Sequence, residues 1–184
     1  MARLGNVVYQ GKVANLNIIV RYPQAGDAGT MCDYINTLSK EKTYITWQNE
    51  ELKLEEEEKY LVKQLKNIKN KETVQLLLLV NNSLAGISSV DLGSKIHSHI
   101  GTFGISISKK YRGKGLGKLL MKLVLEEALK NLTRLKIITL EVFAENEKAI
   151  KMYKSFGFTE YGRLPKGNMY KGRLVDDVLM YKNV

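Results

Sequence analysis

Residues 104–121 read GISISKKYRGKGLGKLLM. The opening GISIS alternates with the two-residue period of a strand, and residues 116–131 read as a long amphipathic helix. Between them, Arg112-Gly113-Lys114-Gly115-Leu116-Gly117 forms a glycine-rich turn. Glycines let a backbone bend and approach a ligand closely, and the free N–H groups at a helix start favour an anion. Lys109, Lys110, Arg112, Lys114 and Lys118 concentrate positive charge at the same place. The segment therefore points to a phosphate-bearing, nucleotide-like ligand. It is not a P-loop, which requires Gly at 112 and Ser or Thr at 119, where this chain has Arg112 and Leu119. Nor do its glycines follow the G-x-G-x-x-G of a dinucleotide fold.

Outward from this segment, the pattern predicts a strand at 17–22, then a turn and N-cap at Gly26 and Asp27. Met31, Tyr34, Ile35 and Leu38 fall on one face of a following helix. Leu54, Leu61, Val62, Leu65 and Ile68 predict a second helix, reached through a loop holding Tyr44 and Trp47. A hairpin is expected over 73–80 and 84–91, turning at Asn81 and Asn82. Residues 99–108 and 137–143 read as strands, the latter apolar enough to predict burial on both faces. A short helix at 147–156 and closing strands at 158–163 and 175–181 complete the order. The result is a mixed sheet with helices on both faces. No repeat or linker divides the 184 residues, so one domain is expected, with residues 1–16 as an N-terminal extension that suits either a flexible arm or an extra edge strand.

Composition narrows the function. The 29 Lys and Arg against 19 Asp and Glu give a formal charge of +10, favouring anionic partners without choosing among them. No recognised nucleic-acid reading motif accompanies the charge, so specific nucleic-acid binding is not expected. There is no long apolar run to span a membrane or serve as a secretory signal, which suggests a cytoplasmic protein. The single cysteine, Cys32, reads as core packing, and His97 and His99 lack the spacing of a metal site, so no metal is expected.

Two motifs together identify a resemblance. R-x-x-G-x-G at 112–117, between an alternating strand and a helix, resembles the acetyl-CoA signature of the GNAT N-acetyltransferase superfamily. About thirty residues on, Asn146-Glu147-Lys148-Ala149-Ile150-Lys151-Met152-Tyr153-Lys154-Ser155-Phe156-Gly157-Phe158 resembles the family's second signature, N-x-x-A-x-x-x-Y-x-x-x-G-F. The resemblance implies the α/β GNAT fold: a mixed, mostly antiparallel sheet of six to seven strands with a splayed central parallel pair. It implies acetyl-CoA as the acyl donor and CoA as product. It further implies that backbone at Ile105, Ser106 and Ile107 pairs with the pantetheine arm, that Arg112, Gly113, Lys114, Gly115, Leu116, Gly117 and Lys118 cradle the pyrophosphate, and that Asn146 helps hold the arm. Asn146 also reads locally as a helix N-cap.

The implied reaction is direct attack of an amine on a thioester. An alkyl amine of pKa ~10.4 is neutral about once in a few thousand molecules at pH 7, so a base, a water or a desolvating pocket must help. Tyr153 lies on the same side of its helix as Ile150 and Asn146, and is expected to act as general acid toward the sulfur. Many relatives carry a glutamate where this chain has Thr102; His99, Asp91, Glu141 or a water chain are open substitutes. By the same resemblance Tyr44, Trp47 and Tyr170 shape the acceptor side. The six glutamates between Glu50 and Glu58 read as a solvated helix start. The net charge of +10 favours amino acids, small amines or peptide amines over polyamines. A non-catalytic CoA-binding regulatory module and a protein or ribosomal N-terminal acetyltransferase are the alternative readings. A homodimer is compatible with all of them.

Overall fold

The computed structural model describes residues 4–184. Chain order is β1 (Val7–Val13), β2 (Leu16–Arg21), α1 (Ala28–Lys40), α2 (Leu54–Lys69), β3 (Thr73–Val80), β4 (Ser83–Leu92), β5 (Ile100–Ile107), α3 (Leu116–Asn131), β6 (Ile137–Phe143), α4 (Glu147–Ser155), β7 (Thr159–Tyr170) and β8 (Arg173–Asn183). The strands form one sheet in the order β1-β2-β3-β4-β5-β6-β8-β7, antiparallel throughout except for β5 beside β6. The fold class read from the sequence stands, with one strand more than the six to seven expected.

The additional strand is β1, within the N-terminal extension. Ala14 and Asn15 both take positive φ, 48° and 63°, and make the two-residue turn that lays β1 on β2. The expected hairpin turns as predicted, with Asn81 and Asn82 also at positive φ. Three other expectations are corrected. Strand β6 is not buried on both faces: Ile138, Leu140 and Val142 are buried while Glu141 between them is exposed. In α2, Leu54 and Val62 point to solvent, and Glu57 and Gln64 take places on the buried face. The closing strands run further than 158–163 and 175–181, because the connection is a tight turn at Lys171 and Gly172, both at positive φ.

Helices cover both faces. Against α1 and α2 lies a cluster of Ala28, Met31, Leu61, Leu65 and Leu77. On the opposite face Leu120, Met121 and Val124 of α3 pack with Leu76, Leu78, Val90, Ile138 and Val178. Each such fully buried side chain contributes roughly 1.5–3 kcal/mol. Two polar ties fix how the elements meet. Arg21 forms a bidentate pair with Asp27, both bonds 2.7 Å, joining β2 to the start of α1. The fully buried Tyr22 donates its hydroxyl to Glu127 on α3 at 2.8 Å.

Candidate active site

Strands β5 and β6 pair over only three residue pairs, Ile100–Ile137, Gly101–Ile138 and Thr102–Thr139. Beyond Thr102 the two strands diverge, although β5 continues to Ile107 and β6 to Phe143. A cleft of about 550 Å³ opens at the divergence, with Phe103, Gly104, Ile105 and Ser106 on one side and Glu141, Val142, Phe143 and Asn146 on the other. The β6-facing backbone edge of β5 is left without a strand partner there, the kind of edge that accepts an extended ligand. Gly104 keeps the floor open: no atom lies within 4 Å of where its Cβ would stand.

At the end of β5 the chain turns into α3 through the glycine loop. Gly113 and Gly115 have φ of +74° and +80°, and Gly115 is the N-cap of α3. A side chain at either would be strained, and no neighbouring atom lies within 4 Å of either Cβ position, so the loop is bare on its outer side. Lys109, Lys110, Lys114 and Lys118 are exposed around it. Arg112 is engaged within the protein: its Nε donates to the Ile107 carbonyl at 2.7 Å and its guanidinium pairs with Glu41. The other Glu41 oxygen accepts from the Lys109 N–H at 2.9 Å, so this carboxylate ties the loop to the end of α1. Nothing in the sequence around Glu41 signals this role. These features fit a pyrophosphate held by backbone N–H groups and lysines, with Arg112 bracing the loop.

Tyr153 lines the cleft from α4 and is 8% exposed. Its ring packs edge-on against Phe103, centroids 5.9 Å apart, and against Phe158 at 6.2 Å. No hydrogen bond reaches its hydroxyl among the described residues, and burial pushes its pKa up to about 12. Asn146 caps α4, its side-chain oxygen accepting from the Ala149 N–H at 3.3 Å, while it also lines the cleft. Ser106 shares a 2.9 Å hydrogen bond with Tyr34 of α1, a hydroxyl whose pKa burial raises.

On the acceptor side Tyr44 and Trp47 line the cleft. Tyr170 does not. It lies buried behind Tyr44, ring centroids 4.9 Å apart, and donates its hydroxyl to the Lys42 carbonyl at 3.1 Å. Of the three candidate bases only Glu141 reaches the cleft. Asp91 accepts hydrogen bonds from Thr73, Ser89 and Gln64, and it lines a different hollow; His99 lines neither.

Sequence reasoning missed Glu57. Among the six glutamates between Glu50 and Glu58 it alone is buried, at 4% exposure, and it lines the cleft. Burial raises its pKa. The available signal was its helical phase, since Glu57 stands one and two turns before Leu61 and Leu65 on the stripe that faces the sheet. The cleft wall carries four carboxylates, Glu56, Glu57, Glu141 and Asp177, and among the described residues no Lys, Arg or His.

Comparison with known proteins places this arrangement. Over 107 residues the chain is 31% identical to the L-amino acid N-acetyltransferase AaaT of Escherichia coli, a stretch covering 58% of this chain and 65% of that enzyme, just under two thirds. A GNAT-family acetyltransferase from Streptococcus pneumoniae superposes with a TM-score of 0.83 at 28% identity, covering 91% of this chain and 99% of the other. The spermidine N-acetyltransferase of Vibrio cholerae, solved in complex with CoA and spermine, gives 0.74 at 25% identity, with 90% and 95% covered. Residues 34–158, which contain the glycine loop, the divergent strands and Tyr153, match the Acetyltransferase (GNAT) family, and the chain belongs to it.

Proposed function

We propose that the protein transfers the acetyl group of acetyl-CoA to a primary amine of a small molecule, amino acid or peptide, by direct attack with both substrates bound. The observation that carries this reading is the divergence of β5 from β6, with a bare basic helix start at one end of the gap and an unbonded tyrosine hydroxyl in its wall. In the relatives, the named activities are acetylation of L-amino acids and of spermidine.

Acetyl-CoA, when bound, supplies the acetyl thioester. Backbone N–H groups at 113–117 with Lys114 and Lys118 hold its pyrophosphate, and the open edge of β5 at Ile105, Ser106 and Ile107 orients the pantetheine amides. Asn146, which lines the cleft while its side-chain oxygen caps α4, offers its side-chain N–H groups to the same arm. Tyr153 keeps its proton throughout the neutral range, because its pKa lies near 12, and is the group positioned to give that proton to the departing sulfur. Glu141 takes the proton released by the amine, directly or through water. Tyr44 and Trp47 exclude water from the mouth on the acceptor side.

Calorimetric titration of ligand-free protein with acetyl-CoA, with dephospho-CoA as comparison, tests the donor; thiol release across a panel of amines tests the reaction. Saturable one-site binding with thiol release is the expected result. Binding without release from any amine leaves a regulatory CoA-binding module instead, and no binding by folded protein removes the reading.

A further inference from the structure

The cleft extends away from the β5/β6 gap, across β4, to the buried junction of α2 with β3. Gln75, Ser89 and Gly104 are direct partners across β3, β4 and β5, so they stand in one row on the face covered by α1 and α2. With strands about 4.8 Å apart, Gln75 lies roughly 10 Å from the strand that borders the gap. Gln75 is 1% exposed and lines the cleft. Its amide N–H donates to the Tyr60 hydroxyl at 3.0 Å, and its buried carbonyl oxygen has no hydrogen-bond partner. Glu57, which lines the same cleft, is in the same condition. Its buried Oε1 accepts no hydrogen bond, and no cation pairs with the carboxylate among the described residues.

Two acceptor oxygens without donors, one of them on a carboxylate, are costly to leave in a protein interior. Both residues line the same cleft, and a ligand nitrogen bearing several protons is the kind of donor such oxygens lack. Resting on the acetyl-transfer reading of this cleft, we infer that Glu57 and Gln75 form a subsite for a second, protonated nitrogen of the acceptor, so that the preferred substrate is a diamine whose other nitrogen reaches the gap. The cleft's composition supports the sign of the ligand, with four carboxylates and no basic side chain. The net charge of +10 argues less strongly against such a substrate than the whole-chain total suggests, because fields from exposed lysines fade over about 8 Å at physiological salt, whereas Glu57 sits within the cleft. A monoamine leaves the two oxygens unpaired.

Putrescine and butylamine share a carbon skeleton and differ in the second amine. The test measures binding of each by calorimetry to CoA-saturated protein, and thiol release with each, for the wild type, Glu57→Gln and the exposed neighbour Glu58→Gln. The expected result is wild-type preference for putrescine, weakened about tenfold or more in Glu57→Gln and kept in Glu58→Gln, with the butylamine values unmoved. Gln75→Leu, which removes the second oxygen, weakens putrescine in the same direction and covers the case in which Glu57→Gln does not fold. Equal putrescine binding by wild type and by a folded Glu57→Gln or Gln75→Leu protein, or no wild-type preference over butylamine, overturns the subsite. Putrescine bound with that preference but never acetylated, while another amine of the panel is, overturns the diamine substrate and leaves the proposed function standing; no thiol release with any amine breaks the proposed function itself.

Discussion

The two ends of the cleft are built by opposite means. At the proposed donor end the ligand-facing surface is backbone, bare and ringed by exposed lysines, and its shape depends on two left-handed glycines. At the proposed acceptor end it is side chain and acidic, with Glu57, Gln75 and Asp177 buried and Glu141 exposed, assembled from α2, β3, β6 and β8. A backbone site recognises what every member of a family must bind, because almost any sequence can present N–H groups once the glycines are in place. A side-chain site can be altered one residue at a time, and there specificity can change without disturbing the donor end.

Four substitutions press on that contrast. Tyr153→Phe, at the meeting point of the two ends, is expected to lower kcat by about 10²–10⁴, while acetyl-CoA affinity measured by calorimetry stays the same. Gly115→Val strains the left-handed N-cap by roughly 1–2 kcal/mol. It should weaken acetyl-CoA about five- to thirtyfold and leave the acceptor KM nearly unmoved; an equal change in both would show that the ends are not separable. Glu57→Gln should act on stability as well as on the acceptor. The folded protein holds the Glu57 proton more tightly than the unfolded chain does, so the stability this carboxyl contributes is complete below the ordinary carboxylate range and is lost as pH rises through its raised folded pKa. At neutral pH the neutral amide should therefore raise Tm by about 2–4 °C, equivalent to roughly 1 kcal/mol, and the gain should fade in acid. Smallest of all, Lys118→Ala removes one exposed charge and should cost about 0.2–1 kcal/mol of acetyl-CoA affinity, less at high salt.

The same contrast explains what could be read from the sequence. The donor end occupies one contiguous stretch, and its strand period, glycines and charges each announce themselves within a few residues. Tyr153 and Asn146 came with the second motif, and the capping bond to Ala149 follows from an Asn at a helix start. The chain order of strands and helices followed largely from period and turn residues. The misses lie where partners are distant in sequence. Whether residues 7–13 form a strand depended on a turn at Ala14 and Asn15, which is not strong turn chemistry. Glu57 was masked by the glutamates beside it and became distinct only when α2 was laid against β3. Tyr170, a plausible contact by position, turned out to support Tyr44 from behind.

The short ladder between β5 and β6 has a mechanical consequence. Eight strands share one sheet, yet the five on one side meet the three on the other through only three residue pairs, as in a plank sawn most of the way across. On the proposed reading, an extended ligand lying in the cut would supply the missing strand and splice the halves. Amide hydrogen exchange along β5 and β6 should then slow together when acetyl-CoA is present, so that the donor serves, for as long as it stays, as part of the frame.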